Sequence, residues 1–235
     1  MRLFPLDFRG LERARQFKKY EVIELDVTAS AKDPRPETLT PRLDSIEVVE
    51  QISTDSGTWR RRLPFFDAVE DDSMCGILRR QRTTRQSLGV FRPQDVADLK
   101  VSPAPPEFEA SQRAILQQGS LLGNRAGDAS RNALEPLPLK AKFHYRCADV
   151  ACSGHHEQSL IDWELGALYR RLRDDDGQDQ ASCLAAVRDQ FLGLCDASHD
   201  VRFITGSMLS HPASFLILGL VSPKRQASAQ EDSLF

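Results

Sequence analysis

A compact group of cysteine and histidine residues constrains this chain more than any other feature. Cys147 and Cys152 are followed by His155 and His156, all within ten residues. Thiolates and imidazoles are the usual ligands of Zn²⁺, which takes four of them in a tetrahedron. Gly154 lets the backbone turn sharply before the histidines. The spacing predicts a metal loop, with Zn²⁺ favoured over iron because the ligands mix sulfur and nitrogen.

The sequence leaves the fourth ligand of this loop open. Cys147, Cys152 and His155 form the first set, but His156 is adjacent to His155, and neighbouring side chains of an extended chain point in opposite directions. The other candidates lie on the preceding strand or farther along the chain: His144, His199, His211, Cys183 and Cys195. The alternative interpretation is two buried core cysteines beside a surface pair of histidines.

Two acidic residues follow the loop, on a segment that is expected to be helical. Asp162 and Glu164 are the candidates for catalysis at a metal. Residues two apart on a helix point to different faces, so they cannot form one carboxylate dyad. One of them can orient a ligand histidine, and the other can cap the helix. The H-x-E deaminase, H-E-x-x-H and P-loop signatures are absent. This favours a structural metal over a catalytic one and leans away from an enzyme, but it leaves enzymatic activity open.

The N-terminal part of the chain has the short alternating stretches that are typical of β-strands. Residues 33–41 contain three prolines and are expected to form a loop. A helix is expected at 66–80. Strands are expected at 21–27, 45–52, 87–91 and 95–101. Such strands are buried by a small barrel or a strongly bent sheet, so we predict a β-rich domain over 1–101 with an OB-like arrangement.

The C-terminal part has longer and clearer periodicity. A strand at 139–146 precedes the metal loop, helices at 159–173 and 181–195 follow it, and two strands end the unit. This predicts an α+β domain over 139–223 with the order β-α-α-β-β. Residues 102–138 are predicted to be a linker with a helix at 108–122 and a mobile loop, and 224–235 a disordered tail.

The net charge of the chain is −3, which gives no overall reason to expect a polyanionic partner. Local runs of basic residues can nevertheless contact phosphates. The candidate nucleic-acid contacts are Arg60, Arg61, Arg79, Arg80, Arg82 and Arg85. The alternative for these arginines is an ordinary solvated face of the protein.

The cellular location is expected to be the cytoplasm. The odd number of five cysteines argues against a disulfide framework and for a reducing compartment. The first ten residues carry charges where a signal peptide needs an apolar stretch. The longest apolar run, 215–221, is too short to cross a bilayer, so we expect no membrane partner.

Several stretches carry a resemblance over most of the chain. They include "RLFPLDFRGL", "LGVFRPQDVADLKV" and "KFHYRCADVACSGHHEQSLIDWELG". They resemble a family of bacterial hypothetical proteins in which a C-x4-C-x-G-H element precedes a D-W-E helix. The resemblance implies Cys147, Cys152 and His155, rather than His156, as the functional set, and a further strand upstream of Met1. The resemblance implies no activity. The members of this family are similar in style to small bacterial OB-like domains encoded beside nucleic-acid-processing and defence genes.

Three functions are consistent with these observations. The first is a nucleic-acid-binding accessory protein with a structural zinc, in a bacterial defence system or in DNA or RNA processing. The second is a metal-dependent nuclease or hydrolase that uses the loop with Asp162 and Glu164. The third is a protein-interaction subunit of a larger bacterial complex. Polynucleotide binding that weakens steeply with salt identifies the first, and metal-dependent cleavage that Glu164→Gln abolishes identifies the second.

Overall fold

The computed structural model describes residues 1–6, 8, 11–31, 33–105, 107, 136–152 and 154–225. The predicted helix at 108–122 lies outside the described residues, as do most of the predicted mobile loop and most of the predicted tail.

The N-terminal region forms two small open sheets. Its strands are β1 (Arg2–Leu3), β2 (Glu21–Glu24), β3 (Val27–Ala29), β4 (Thr38–Pro41) and β5 (Glu47–Gln51). One sheet has the order β1-β4-β3, and the other pairs β2 with β5. Neither sheet closes on itself within the described residues, so the small barrel is not formed there, and the OB-like arrangement stays a prediction. The proline-rich segment 33–41 was expected to be a loop, but its end forms β4 because it pairs with β1 and β3.

The rest of the chain builds one seven-stranded sheet. Its strands are β6 (Glu70–Asp71), β7 (Leu88–Phe91), β8 (Pro93–Pro103), β9 (Leu139–Cys147), β10 (His156–Leu160), β11 (Arg202–Met208) and β12 (His211–Val221). The order across the sheet is β6-β7-β11-β12-β10-β9-β8. The antiparallel pair of β9 and β10 forms a hairpin, and the predicted metal loop is its connection.

Strands from both sides of the predicted 102–138 linker meet in this sheet. Leu99 of β8 lies opposite Phe143 of β9, and Val101 lies opposite Ala141. The two strands present their apolar residues to the same core, which is why they pair. The linker therefore connects neighbouring strands of one sheet, and the sheet is shared by the units predicted at 1–101 and 139–223.

Four α-helices in the described residues complete a mixed α+β fold. They are α1 (Leu63–Asp67), α2 (Met74–Thr84), α3 (Trp163–Asp174) and α4 (Gln180–Gly193). Buried side chains of α2, α3 and α4 share one core with the large sheet, and they include Ile77, Leu165, Tyr169, Val187 and Phe191. The helix predicted at 159–173 begins later than expected, because Gln158 and Leu160 are buried as part of β10. The predicted order β-α-α-β-β is thus corrected to β-β-α-α-β-β.

Polar contacts join the N-terminal sheets to the large sheet. A carboxylate oxygen of Glu37 accepts hydrogen bonds from the backbone N–H of Ser87, at 2.6 Å, and from its hydroxyl. Arg2 donates to the same hydroxyl at 2.8 Å. Arg35 donates to the carbonyl oxygen of Ser207 at 2.7 Å. The orientation of Arg35 therefore matters for this junction, and a buried carboxylate fixes it.

Asp33 is that carboxylate, and it makes the junction sensitive to acid. Its oxygens accept from Arg35 and from the Thr38 hydroxyl, and mainly the hydrogen bond from the Arg35 side chain lowers the pKa of Asp33 to about 2. A carboxyl group whose pKa is lowered on folding stabilises the fold above its unfolded pKa of about 3.9, and this stabilisation is lost as pH falls towards the folded value.

We therefore expect Asp33→Asn to be less stable than the wild-type protein at pH 7. The difference in the free energy of unfolding, measured with urea, should shrink as pH is lowered from about 4 towards 2. A difference that is the same at pH 7 and at the lowest pH where both proteins fold would contradict the role of this carboxylate.

Candidate metal centre

Three cysteines and one histidine converge at one end of the large sheet. Cys75 is the second residue of α2, Cys147 is the last residue of β9, Cys152 lies in the hairpin loop, and His156 is the first residue of β10. One ligand atom from each lies within 4.8 Å of all the others. This Cys₃His cluster can hold a metal ion.

The alternation of β9 and β10 decides which histidine joins the cluster. Cys147 lies on the buried face of β9, two residues after Tyr145. His156 is directly opposite Tyr145 in the antiparallel register, and their rings stack with centroids 5.2 Å apart. His156 therefore points to the side of the sheet on which Cys147 lies. His155 is exposed and is not a member of the cluster.

The distances within the cluster match tetrahedral coordination. The Nε2 atom of His156 lies 3.2 Å from the sulfur of Cys147, 3.4 Å from that of Cys152 and 3.6 Å from that of Cys75. Zinc–sulfur bonds of about 2.3 Å and zinc–nitrogen bonds of about 2.0 Å place these atoms about 3.5 Å apart in a tetrahedron. Four protein ligands at this spacing form a closed site, as in structural metal centres.

Hydrogen bonds around Asp149 connect the hairpin loop between β9 and β10 to the start of α2. Ser73 caps α2 by accepting from the backbone N–H of Gly76 at 2.9 Å, and its hydroxyl donates to Asp149 at 3.2 Å. The same carboxylate forms a 2.6 Å ion pair with Arg79. The carbonyl oxygen of Asp149 accepts from the backbone N–H of Cys152 at 3.0 Å. These contacts place the loop that carries Cys152 beside the first turn of α2, where Cys75 lies.

The pKa values of three cluster residues follow from their burial and from their closeness to one another. Burial and the neighbouring thiols of Cys152 and Cys147 raise the pKa of Cys75 to about 12. A backbone hydrogen bond from Gly154 lowers the pKa of Cys152, and burial lowers the pKa of His156, which keeps the imidazole neutral. Three thiolates this close would repel one another, so Cys75 stays a neutral thiol until a cation takes the place of its proton. A neutral imidazole is the form of histidine that binds metals.

One member of the cluster, Cys75, was not predicted from the sequence, and several predicted candidates for the fourth ligand are not members. Cys75 was not a candidate, because nothing near the loop indicates that a distant helix begins beside it; the only local signal is the Ser73 cap. The fourth-ligand candidates His144, Cys183, Cys195, His199 and His211 are not members of the cluster. His144 lies on the opposite face of β9 from Tyr145, near Glu157.

Asp162 and Glu164 lie at the far end of β10 from the cluster. Asp162 is the N-cap of α3 and accepts from the backbone N–H of Glu164 at 2.9 Å, and burial raises its pKa. Glu164 forms a 2.7 Å ion pair with Lys19. Strands rise about 3.3 Å per residue, so the length of β10 separates both residues from His156.

The structure divides the candidate arginines into two groups. Three of them form ion pairs: Arg61 with Glu50, Arg79 with Asp149, and Arg80 with Asp71. The others, Arg60, Arg82 and Arg85, are exposed, and none of them forms an ion pair with another described residue. No helix in the described ranges is long and apolar enough to span a membrane.

Two family models match the chain, and they meet between α1 and β6. A domain of unknown function, DUF8758, matches residues 1–68, which contain the two small sheets. A second domain of unknown function, DUF8757, matches residues 69–235, which contain the large sheet and the whole Cys₃His cluster. No curated protein and no solved structure matches the chain significantly. Because its model covers most of the sequence, the chain belongs to the DUF8757 family.

Proposed function

We propose that this protein is a nucleic-acid-binding accessory protein whose Cys₃His cluster holds a structural Zn²⁺. The observation that carries the proposal is that Cys75 of the cluster lies in the first turn of α2, the helix that carries Arg79, Arg80 and Arg82 and ends at Arg85. Zn²⁺ suits the site better than iron because a closed tetrahedral set of sulfur and nitrogen ligands is the usual form of structural zinc centres.

The spacing of residues on α2 supports this reading. Met74 and Ile77 are buried against the sheet, each 1% exposed. Cys75, Arg79 and Arg82 follow one another at steps of four and three, so they share one side of the helix. A metal bound in the cluster would hold this side of α2 in place. Arg82, which is exposed beyond the cluster, would remain available to a ligand.

Phosphate groups are the ligands that best fit these side chains. Arg82 and Arg85 are exposed at the end of α2, and Arg85 has a left-handed backbone (φ 62°) that ends the helix. Guanidinium groups pair with phosphate oxygens through two parallel hydrogen bonds. Such contacts position a protein on a nucleic acid without reading its bases. The setting in nucleic-acid processing or phage defence is supported by the sequence resemblance alone.

We expect the double variant Arg82→Glu/Arg85→Glu to bind DNA and RNA of all sequences more weakly than the wild type. Each lost phosphate contact lowers the slope of log K against log salt concentration by about 0.9 on duplex DNA, so the slope should fall by about 2. Fluorescence anisotropy with labelled oligonucleotides at several salt concentrations measures both quantities.

The single variant Arg82→Glu should show about half of this fall, and its matched control is Arg171→Glu, a charge reversal at an exposed position of α3. It should change the salt slope much less, because α3 does not extend from the cluster. Equal effects of the two changes, or altered sequence preference at unchanged overall affinity, would count against the α2 surface. Arg80 is unsuitable for this test because its ion pair with Asp71 and its bond to the Leu88 carbonyl support the fold.

A protein-interaction subunit is the second candidate, and the surface of the N-terminal region favours it. Within the described part of residues 1–68, Ile46 is the one fully buried large aliphatic or aromatic side chain, at 4% exposed. Val48 and Val49 of β5 are 41% and 55% exposed. Exposed apolar side chains on a strand that lacks a second neighbour can mark protein contacts. Copurification of a bacterial protein that binds this chain through β5 would support this second candidate function.

A further inference from the structure

Two aromatic rings and one guanidinium group pack against one another in the N-terminal region. The Arg62 Cζ atom lies 3.8 Å from the centre of the Tyr20 ring and 5.1 Å from that of the Trp59 ring system. The two rings meet edge to face, with centroids 5.4 Å apart. We call these three side chains the aromatic platform.

The backbone of the platform adopts a conformation that bulky residues rarely show. Tyr20 and Trp59 have φ angles of 68° and 61°. Left-handed backbone of this kind persists in large residues only where surrounding contacts enforce it, and it concentrates at functional sites. Ile52 supplies such contacts, because its N–H donates to the Tyr20 carbonyl and its own carbonyl accepts from Arg62, both at 2.9 Å.

The platform is separate from the main core and has cations beside it. All three of its side chains are only partly buried, and none is a member of the core cluster. The Lys19 ammonium lies 5.6 Å from the centre of the Tyr20 ring and also forms the ion pair with Glu164. Arg60, next to Trp59, is exposed. A partly exposed aromatic and guanidinium surface with flanking cations offers stacking to a flat ring and pairing to the phosphates on either side of it.

We propose that the aromatic platform stacks the bases of a single-stranded nucleic acid. The inference rests on the proposed function and adds the form of the ligand. Every base has a π-face that can stack on an aromatic ring or on an arginine plane, whereas the bases of a duplex are already stacked on each other. The platform therefore selects single strands, while the phosphate contacts of α2 serve single strands and duplexes alike.

The experiment uses the fluorescence of Trp59 in the full chain. The protein has two tryptophans, so a Trp163→Phe background leaves Trp59 as the one indole. This protein is titrated with oligo-dT, with oligo-U and with a duplex of the same length. We expect saturable quenching by single strands and none by the duplex. The two single-stranded arms distinguish DNA from RNA as the source.

The second measurement is the affinity of Trp59→Asn, which removes the ring and keeps a residue that tolerates left-handed backbone. Single-strand binding should weaken about tenfold, in line with loss of one stacked base, while duplex binding is unchanged. Trp163→Asn is the matched control, because Trp163 is 71% exposed and outside the platform; it should leave both affinities unchanged.

The outcomes separate the platform from the proposed function. Single-strand binding without quenching of Trp59, or equal losses of single-strand and duplex affinity in Trp59→Asn, overturns the platform. If Trp59→Asn has no effect while Arg82→Glu still weakens binding, the platform falls and the proposed function stands. If the wild-type protein binds no polynucleotide, both fall. Quenching in the Trp163→Phe chain decides the matter even if Trp59→Asn does not fold.

Discussion

Replacing Cys75 with serine should abolish the proposed metal binding of this protein, although Cys75 lies far from the hairpin loop in the sequence. A tetrahedral site loses a quarter of its ligands when one thiolate is replaced by a hydroxyl group that does not ionise at neutral pH. Because the ligands are brought together only in the folded chain, metal-binding free energy is also folding free energy. We expect a loss of about 4 kcal/mol or more in stability, which corresponds to a fall in melting temperature of roughly 10 °C.

The metal content and the melting temperature of further variants test the ligand set. Elemental analysis should give one zinc per wild-type chain and none for Cys147→Ser, Cys152→Ser or His156→Ala. His155→Ala should keep the metal, because the His155 side chain is exposed outside the cluster. Cys195→Ser is the matched control, since Cys195 is a partly buried cysteine in the turn after α4, outside the cluster. Metal retained in Cys75→Ser but lost in His155→Ala would restore the ligand set predicted from the sequence.

Replacing Arg202 with methionine should destabilise the protein by about 3–5 kcal/mol, the cost of removing one partner from a buried ion-pair network. The Arg202 side chain is 2% exposed and pairs with Asp67 at 2.5 Å, with Glu70 at 2.8 Å and with Asp200 at 2.8 Å. Burial alone would lower the pKa of Arg202, but Glu70 and the other carboxylates outweigh it and raise that pKa.

This network links the regions matched by the two family models, so its loss should destabilise both regions. Asp67 ends α1 in the N-terminal region, whereas Glu70 lies in β6 and Arg202 begins β11 of the large sheet. Without the Arg202 guanidinium group, the three carboxylates would keep Arg92 as a cationic partner, but Arg92 is 46% exposed and cannot fill the buried position. Urea unfolding at pH 7 measures the loss.

Arg188→Met is the matched control for this change. Its 2.8 Å ion pair with Asp98 joins side chains that are 43% and 36% exposed, and such surface pairs contribute about 0–1 kcal/mol. Similar losses of stability in the two variants would contradict a special role for the Arg202 network.

The sequence alone determined the parts of this protein that depend on local pattern. The alternation of β9 reveals the buried face that carries Phe143, Tyr145 and Cys147, and the helical spacing around Leu165 and Leu172 predicts α3. Period-2 and period-3.6 patterns reflect which side of an element is buried, so they can be read without the rest of the fold. The grouping of Cys147 and Cys152 in one loop is local in the same sense.

Tertiary structure alone decided what depends on pairing between distant segments. The register of β9 with β10 selects His156 rather than His155, because a shift of one residue moves a side chain to the other face of the sheet. Cys75 joins the cluster because α2 packs against the sheet core beside the hairpin. The same long-range pairing places β8 beside β9 and buries Arg202 among carboxylates. No periodicity within one segment encodes such contacts, since each depends on where a second segment comes to lie.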